Sequence, residues 1–156
     1  MTRIVAGSAK GRTLAVPKSG TRPTSERVRE ALFSRLDHMN VLEGATVLDL
    51  FAGTGALGLE ALSRGAARAT LVEKASAAAR VVSANVRATG LPARVVTADV
   101  RAYLGARSGE ALMGENDLVF IDPPYDIPEG DMTTVLSALA PWVGPDSLIV
   151  VERSTR

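Results

Sequence analysis

Val47-Leu48-Asp49-Leu50-Phe51 is an apolar run broken by one carboxylate, and Ala52-Gly53-Thr54-Gly55-Ala56-Leu57-Gly58-Leu59-Glu60-Ala61 follows it directly. A short, nearly continuous apolar run bounded by glycine reads as a strand over Thr46–Phe51 buried on both faces, the kind that parallel sheets contain. Gly53, Gly55 and Gly58 then match G-x-G-x-x-G. Glycines at this spacing make a tight turn from strand to helix and let a ligand approach the backbone. The residues after the turn predict a helix over Ala56–Arg64, closed by Gly65.

Working outward, the alternation continues. Strands are expected over Arg68–Glu73, Arg94–Ala98, Asp117–Ile121 and Ser147–Glu152. Helices are expected over Ser76–Thr89, Val100–Ala106 and Asp131–Leu139, with a loop over Ser108–Asn116. Repeated β-α units imply an α/β fold, a mostly parallel sheet with helices on both faces. Ligands of such folds lie at the carboxyl ends of the strands. Phe51–Gly55, Glu73, Asp99 and Asp122–Tyr125 all fall at those ends.

Upstream, Arg3–Ala6 and Arg12–Val16 read as short strands around a Ser8-Ala9-Lys10-Gly11 turn. Pro17 to Pro23 is loop, and Thr24 is placed to cap a helix with an apolar face of Val28, Ala31, Leu32, Leu36 and Met39. Arg27 and Arg29 fall off that face and are expected to point at a partner. Residues 1–38 carry eight Lys/Arg against three acids, a net +5, whereas the remaining 118 residues net −4. A basic segment on an acidic body points to a polyanion held at one end, and Arg3, Lys10, Arg12, Arg22, Arg27 and Arg29 are the candidate contacts.

The chain of 156 residues suits one hydrophobic core. Without cysteine and with a single histidine it offers no disulfide framework and no zinc set, so no metal is expected. It contains neither an apolar run of membrane-spanning length nor a signal-peptide core, and a cytoplasmic location is expected.

Glu73 ends the strand after the glycine turn and is placed to accept from both hydroxyls of a ribose. This suits NAD and S-adenosylmethionine equally, since both carry adenosine. Asp49 favours the second. A pyrophosphate close to that carboxylate would be repelled, whereas the ammonium and sulfonium of S-adenosylmethionine would be attracted. Asp99, after the third strand of the alternation, is placed to accept from the adenine amino group.

Asp122-Pro123-Pro124-Tyr125 follows the apolar strand Leu118-Val119-Phe120-Ile121. Two prolines fix φ and remove two donors, leaving a rigid turn of acceptors. An exocyclic amine of a nucleobase is a poor nucleophile because its lone pair is delocalised into the ring. Acceptors on its N–H bonds favour a pyramidal nitrogen and stabilise the charge that develops there. Tyr125 adds an aromatic face for the base. The motif does not separate guanine N2 from adenine N6, or a base from a glutamine amide.

Val47–Ala61 followed by Asp122–Tyr125 resembles the RsmD-type bacterial 16S rRNA guanine-N2 methyltransferases. Arg3-Ile4 through Gly7, Lys10-Gly11-Arg12, Arg22-Pro23-Thr24 and Arg27-Val28-Arg29-Glu30-Ala31-Leu32-Phe33 extend the resemblance over essentially the whole chain. It implies a Rossmann-like class I S-adenosylmethionine methyltransferase acting on a guanine at position 966 of 16S rRNA. The implied partner is the small ribosomal subunit or its assembly intermediate, and the enzyme is expected to be a monomer. Thr24, Phe51, Ala52, Gly53, Thr54, Gly55, Glu73, Lys74, Asp99 and Val100 join Asp49 as implied cofactor contacts, and Asp122, Pro123, Pro124 and Tyr125 as contacts to the target base. Arg22–Thr24 suits either the methionine carboxylate or an rRNA phosphate. The chain divides into a basic hairpin and helix, 1–40, and the methyltransferase core, 41–156. Enzymes of this type continue into a C-terminal hairpin, so the core is expected to be truncated and one sheet edge open.

An NAD-dependent oxidoreductase and a non-catalytic ribosome-binding factor are the readings from other classes. His38 is expected as a polar residue near a helix end, and Trp142 as packing under a loop. Tyr103 is expected in the core or at the adenine pocket, and Asn85 bonded to a neighbouring loop.

Overall fold

The computed structural model describes residues 2–16, 25–106, 116–124 and 126–152. Its centre is a five-stranded, wholly parallel sheet built from β3 (Thr46–Leu50), β4 (Arg68–Glu73), β5 (Ala93–Thr97), β6 (Asn116–Ile121) and β7 (Val143–Val151), after a short β1–β2 pair (Thr2–Arg3 and Thr13–Leu14). The spatial order is β5-β4-β3-β6-β7. The chain therefore runs outward from β3 to one edge, then returns to lay β6 on the other side of β3. That reversal makes the β3–β6 boundary the topological switch point, where open α/β sheets bind ligands.

Strand alternation sets the two layers. Val47, Leu71, Leu118 and Phe120 face α1 (Glu26–His38), α2 (Ala56–Ser63) and α3 (Ser76–Thr89) in one apolar cluster. Leu48, Leu50, Val72, Val119 and Ile121 face α4 (Val100–Ala106) and α5 (Glu129–Leu139) in the other. Helices thus cover both faces, as the β-α alternation implied. Several boundaries fall where punctuation placed them: α3 ends at Gly90, whose φ of +68° lets its amide reach the Val86 carbonyl.

The edges differ from expectation. The hairpin strands shrink to two residues each, because Ile4 and Gly11 already bond across the turn while Val5 and Ala6 give their amides to Glu60 instead. β7 begins at Val143, not at Ser147. A register shift against β6 absorbs Gly144-Pro145-Asp146, and Ser147 Oγ ties the bulge by donating to the Asn116 carbonyl and accepting from the Gly144 amide. Along β7, Ile149 and Val151 remain 39% and 44% exposed.

Helix α1 is capped by Ser25, whose hydroxyl accepts from the Val28 amide. Thr24 lies outside the described residues. The buried face is also rotated: Arg29, Phe33 and Leu36 point inward, while Val28 and Met39 are about half exposed. The apolar-stripe rule failed because a buried ionic cluster claims an arginine for the inner face. Trp142, in a single turn of 3-10 helix, is buried against Tyr103 at 5.2 Å between ring centres and donates to the Leu104 carbonyl. Both rings are core, and His38 is the exposed last residue of α1.

Candidate active site

The turn after β3 is assembled from backbone strain and borrowed acceptors. Phe51 holds φ +62°, unusual for a residue with a side chain, and Gly53 and Gly55 follow at +60° and +83°. Gly53 donates to Glu73 Oε1 at 2.9 Å, and Glu73 Oε2 accepts from the Ala75 amide at 2.9 Å. Glu73 is therefore clamped against the glycine turn, with lone pairs left over on both oxygens. The Ala52 amide bonds the Val72 carbonyl, and Asn85 Nδ2 holds the Thr54 carbonyl. Gly58, the third glycine, lets α2 pack on the sheet. A Cβ there would stand 2.3 Å from Leu71 Cδ2 and 3.2 Å from Asp49 Oδ2.

Asp49 is 1% exposed, so it underpins the turn rather than lining its open side, and its Oδ2 accepts from the Gly58 amide at 3.0 Å. Burial pushes its pKa well above the usual carboxylate range. The Gly58 bond pulls the other way, and the negative fields of Asp122 and Glu73 add to the rise. Asp122 and Glu73 thus lie close enough for their charges to act on the buried Asp49. Between the ordinary value near pH 4 and its raised folded value, the folded chain holds a proton on Asp49 that the unfolded chain has released. Folding then weakens as pH rises. The expected result is that the melting-temperature difference of Asp49→Asn over wild type grows as pH rises above 4, measured by thermal unfolding without ligand.

Across the switch point, β6 pairs with β3 so that Ile121 stands opposite Leu50. Asp122 therefore leaves the sheet beside Phe51 and the glycine turn. It is half-buried, Pro123 is buried and Pro124 is exposed. The Pro124 carbonyl accepts from the Ile127 amide at 3.1 Å, which closes the turn. The Ile121 carbonyl is held by the Glu152 amide at 2.9 Å. Tyr125 lies outside the described residues.

Asp99 caps α4: its Oδ1 accepts from the Arg101 and Ala102 amides. Burial nudges its pKa up, but the Ala102 bond and Arg101 outweigh this and hold it below the usual value. Lys74 Nζ lies 3.9 Å from its other oxygen, at the same rim. The Val100 side chain is packed in the core at 4% exposure.

Among the basic residues, Lys10, Arg12 and Arg27 are exposed, and Arg3 is exposed but paired with Glu26 at 3.2 Å. Arg22 lies outside the described residues. Arg29 is a correction: it is fully buried, its Nε donates to Glu60 at 3.3 Å and its Nη2 to the Arg3 carbonyl, so it faces the core and not a partner. Sequence reading also missed Glu60. This carboxylate on α2, fully buried, accepts from Val5, Ala6, Arg29 and Arg64. The signal it left in the sequence was a lone charge between Leu59 and Ala61 on an otherwise apolar helix.

A parallel sheet with a glycine turn, a clamped acid and an Asp-Pro-Pro turn at its switch point is a Rossmann-like layout, and together with the methyltransferase relatives it makes the chain an S-adenosylmethionine methyltransferase with that molecule as cofactor. The family model described as conserved hypothetical protein 95 matches residues 2–156. Ribosomal RNA small subunit methyltransferase D of Escherichia coli is 42% identical over 152 residues, covering 96% of this chain and 73% of that protein. The structure of a hypothetical protein, TTHA0928, from Thermus thermophilus superposes with a TM-score of 0.85 at 38% identity, covering 97% of this chain and 85% of that one. The putative methyltransferase yhhF from Escherichia coli gives 0.83 at 40% identity, covering 99% and 83%. The chain belongs to this family, the RsmD type, and is a methyltransferase of ribosomal RNA.

Proposed function

We propose that the chain transfers a methyl group from S-adenosylmethionine to the exocyclic N2 amine of a guanine in 16S rRNA, on the small ribosomal subunit or its assembly intermediate. The observation that carries this reading is the juxtaposition at the switch point. The glycine turn, with Glu73 and Asp49 behind it, borders the Asp122-Pro123-Pro124 turn on the adjacent strand.

Bound S-adenosylmethionine supplies a methyl group made electrophilic by a sulfonium. The residues of the chain do the rest. Glu73 accepts from the ribose, and the left-handed Gly53 and Gly55 let the ligand approach closely. Asp49, behind the turn, favours the cationic methionine end. Asp122 and a carbonyl of the proline turn accept from the two N–H bonds of the base, aim the nitrogen lone pair, and stabilise its developing charge. Asp122 takes the proton after the methyl has moved. Thr24, Lys74, Asp99 and the Val100 backbone complete the proposed cofactor contacts, and Tyr125 the base contacts. The protein acts as a cytoplasmic monomer in two parts, the basic segment 1–40 and the core 41–156.

The basic segment supports RNA as substrate through the exposed Lys10, Arg12 and Arg27. Neutralising Arg12 and Arg27 together is expected to weaken RNA binding and to flatten the plot of log affinity against log salt by about 1.4, at ~0.7 per phosphate contact. Filter binding across a salt series checks this, and an unchanged slope would make the segment a solvated face. Adenine N6 is the second reading, because the motif chemistry treats both amines alike. Titration with S-adenosylmethionine and NADH tests the cofactor: tight NADH binding without S-adenosylmethionine binding would remove the methyltransferase reading.

A further inference from the structure

Asn85 stands on α3 with 3% of its surface exposed, outside both the glycine turn and the Asp-Pro-Pro turn. Its amide bridges two distant segments. Oδ1 accepts from the Ala15 amide at 2.8 Å and Nδ2 donates to the Ala15 carbonyl at 3.0 Å, a two-point pairing like that between strands. The second N–H of the same Nδ2 donates to the Thr54 carbonyl at 2.9 Å, inside the glycine turn. Both donors and one acceptor site are thereby committed to backbone. Ala15 directly follows β2, the second strand of the hairpin that carries Lys10 and Arg12.

We propose that Asn85 is a positioning residue that couples occupancy of the cofactor turn to the placement of the basic N-terminal segment on RNA. This rests on the function proposed above. A ligand that fixes the Thr54 peptide also fixes the amide plane of Asn85, because one planar group serves both sides. The same plane sets the height and tilt of Ala15. Ordering imposed by the first ligand does not have to be imposed again by the second, so each tightens the other reciprocally. Aspartate cannot substitute: it would set an oxygen against two carbonyl oxygens at 2.9 and 3.0 Å.

The test uses the full chain, S-adenosylhomocysteine as an unreactive cofactor, and small ribosomal subunits from a strain lacking the enzyme. With wild type, S-adenosylhomocysteine is expected to tighten subunit binding about five-fold or more, the low end of ordinary coupling. In Asn85→Ala the factor is expected to fall below about two-fold, with Asn85→Asp no better. Ala15 is exposed, so water can replace the lost bonds on that side. A merely structural asparagine would lower the melting temperature and leave the coupling factor intact, which would overturn the proposal. A second measurement needs no variant: hydrogen exchange at the Ala15 amide of wild type is expected to slow when S-adenosylhomocysteine binds, and unchanged exchange contradicts the coupling. Wild type that fails to bind S-adenosylhomocysteine overturns the function reading itself. Binding without any effect on subunit affinity overturns this inference alone.

Discussion

Asp122→Ala is expected to lower the methyl-transfer rate on small subunits by a factor on the order of 10²–10³ or more, the loss seen when one fixed polar partner of a developing charge is removed. Affinity for S-adenosylmethionine is expected to stay within a few-fold. The two effects separate because of the topology. Asp122 leaves β6, whereas the glycine turn and Glu73 belong to β3 and β4 and are braced by their own bonds. Single-turnover transfer of labelled methyl, beside a cofactor titration, measures both. Near-full turnover would refute the acceptor role. A parallel collapse of cofactor affinity would make Asp122 a cofactor ligand instead.

Glu60→Ala is the largest expected loss of stability. The fully buried Glu60 accepts four hydrogen bonds, from the Val5 and Ala6 amides, Arg29 Nε and Arg64 Nε, and Arg64 also meets Asp37 at 2.7 Å. Removing it leaves a fully buried arginine and two backbone donors uncompensated. Arg29 already carries one unpartnered buried nitrogen, Nη1, so it has no slack to absorb the change. Breaking a buried pair from one side costs about 3–5 kcal/mol. For a domain of this size that is a melting-temperature loss on the order of 10 °C, read by calorimetry. Glu60→Gln keeps the acceptor for one amide and is expected to fall between. A loss below about 1 kcal/mol would mean the cluster is no anchor of the hairpin.

The layered α/β fold was legible because its signals are local. Glycine punctuation closes α3, and apolar runs without alternation mark strands covered on both faces. The chemistry was legible for the same reason, since each candidate group sits at a strand end. What escaped the sequence depends on tertiary pairing. Arg29 reads as a surface cation until Glu60, 31 residues away, is brought against it. Val28 reads as core by spacing, yet it is half exposed while its neighbour Arg29 is fully buried on the ion pair. The bulge in β7 could not be read either, since Gly144-Pro145-Asp146 spells a turn and only the register with β6 keeps it in the sheet. Asp49 was found, but its burial under the turn was not, because Gly58 meets it from the next element.

The most direct measurement incubates the chain with labelled S-adenosylmethionine and small ribosomal subunits from a strain lacking the enzyme, then maps the labelled nucleotide in the RNA. One methyl group per subunit is expected, on N2 of a single guanine in 16S rRNA, with transfer by Asp122→Ala slower by a factor on the order of 10²–10³. Label on adenine N6, on a ribosomal protein, or on no molecule at all while S-adenosylmethionine is bound would contradict this.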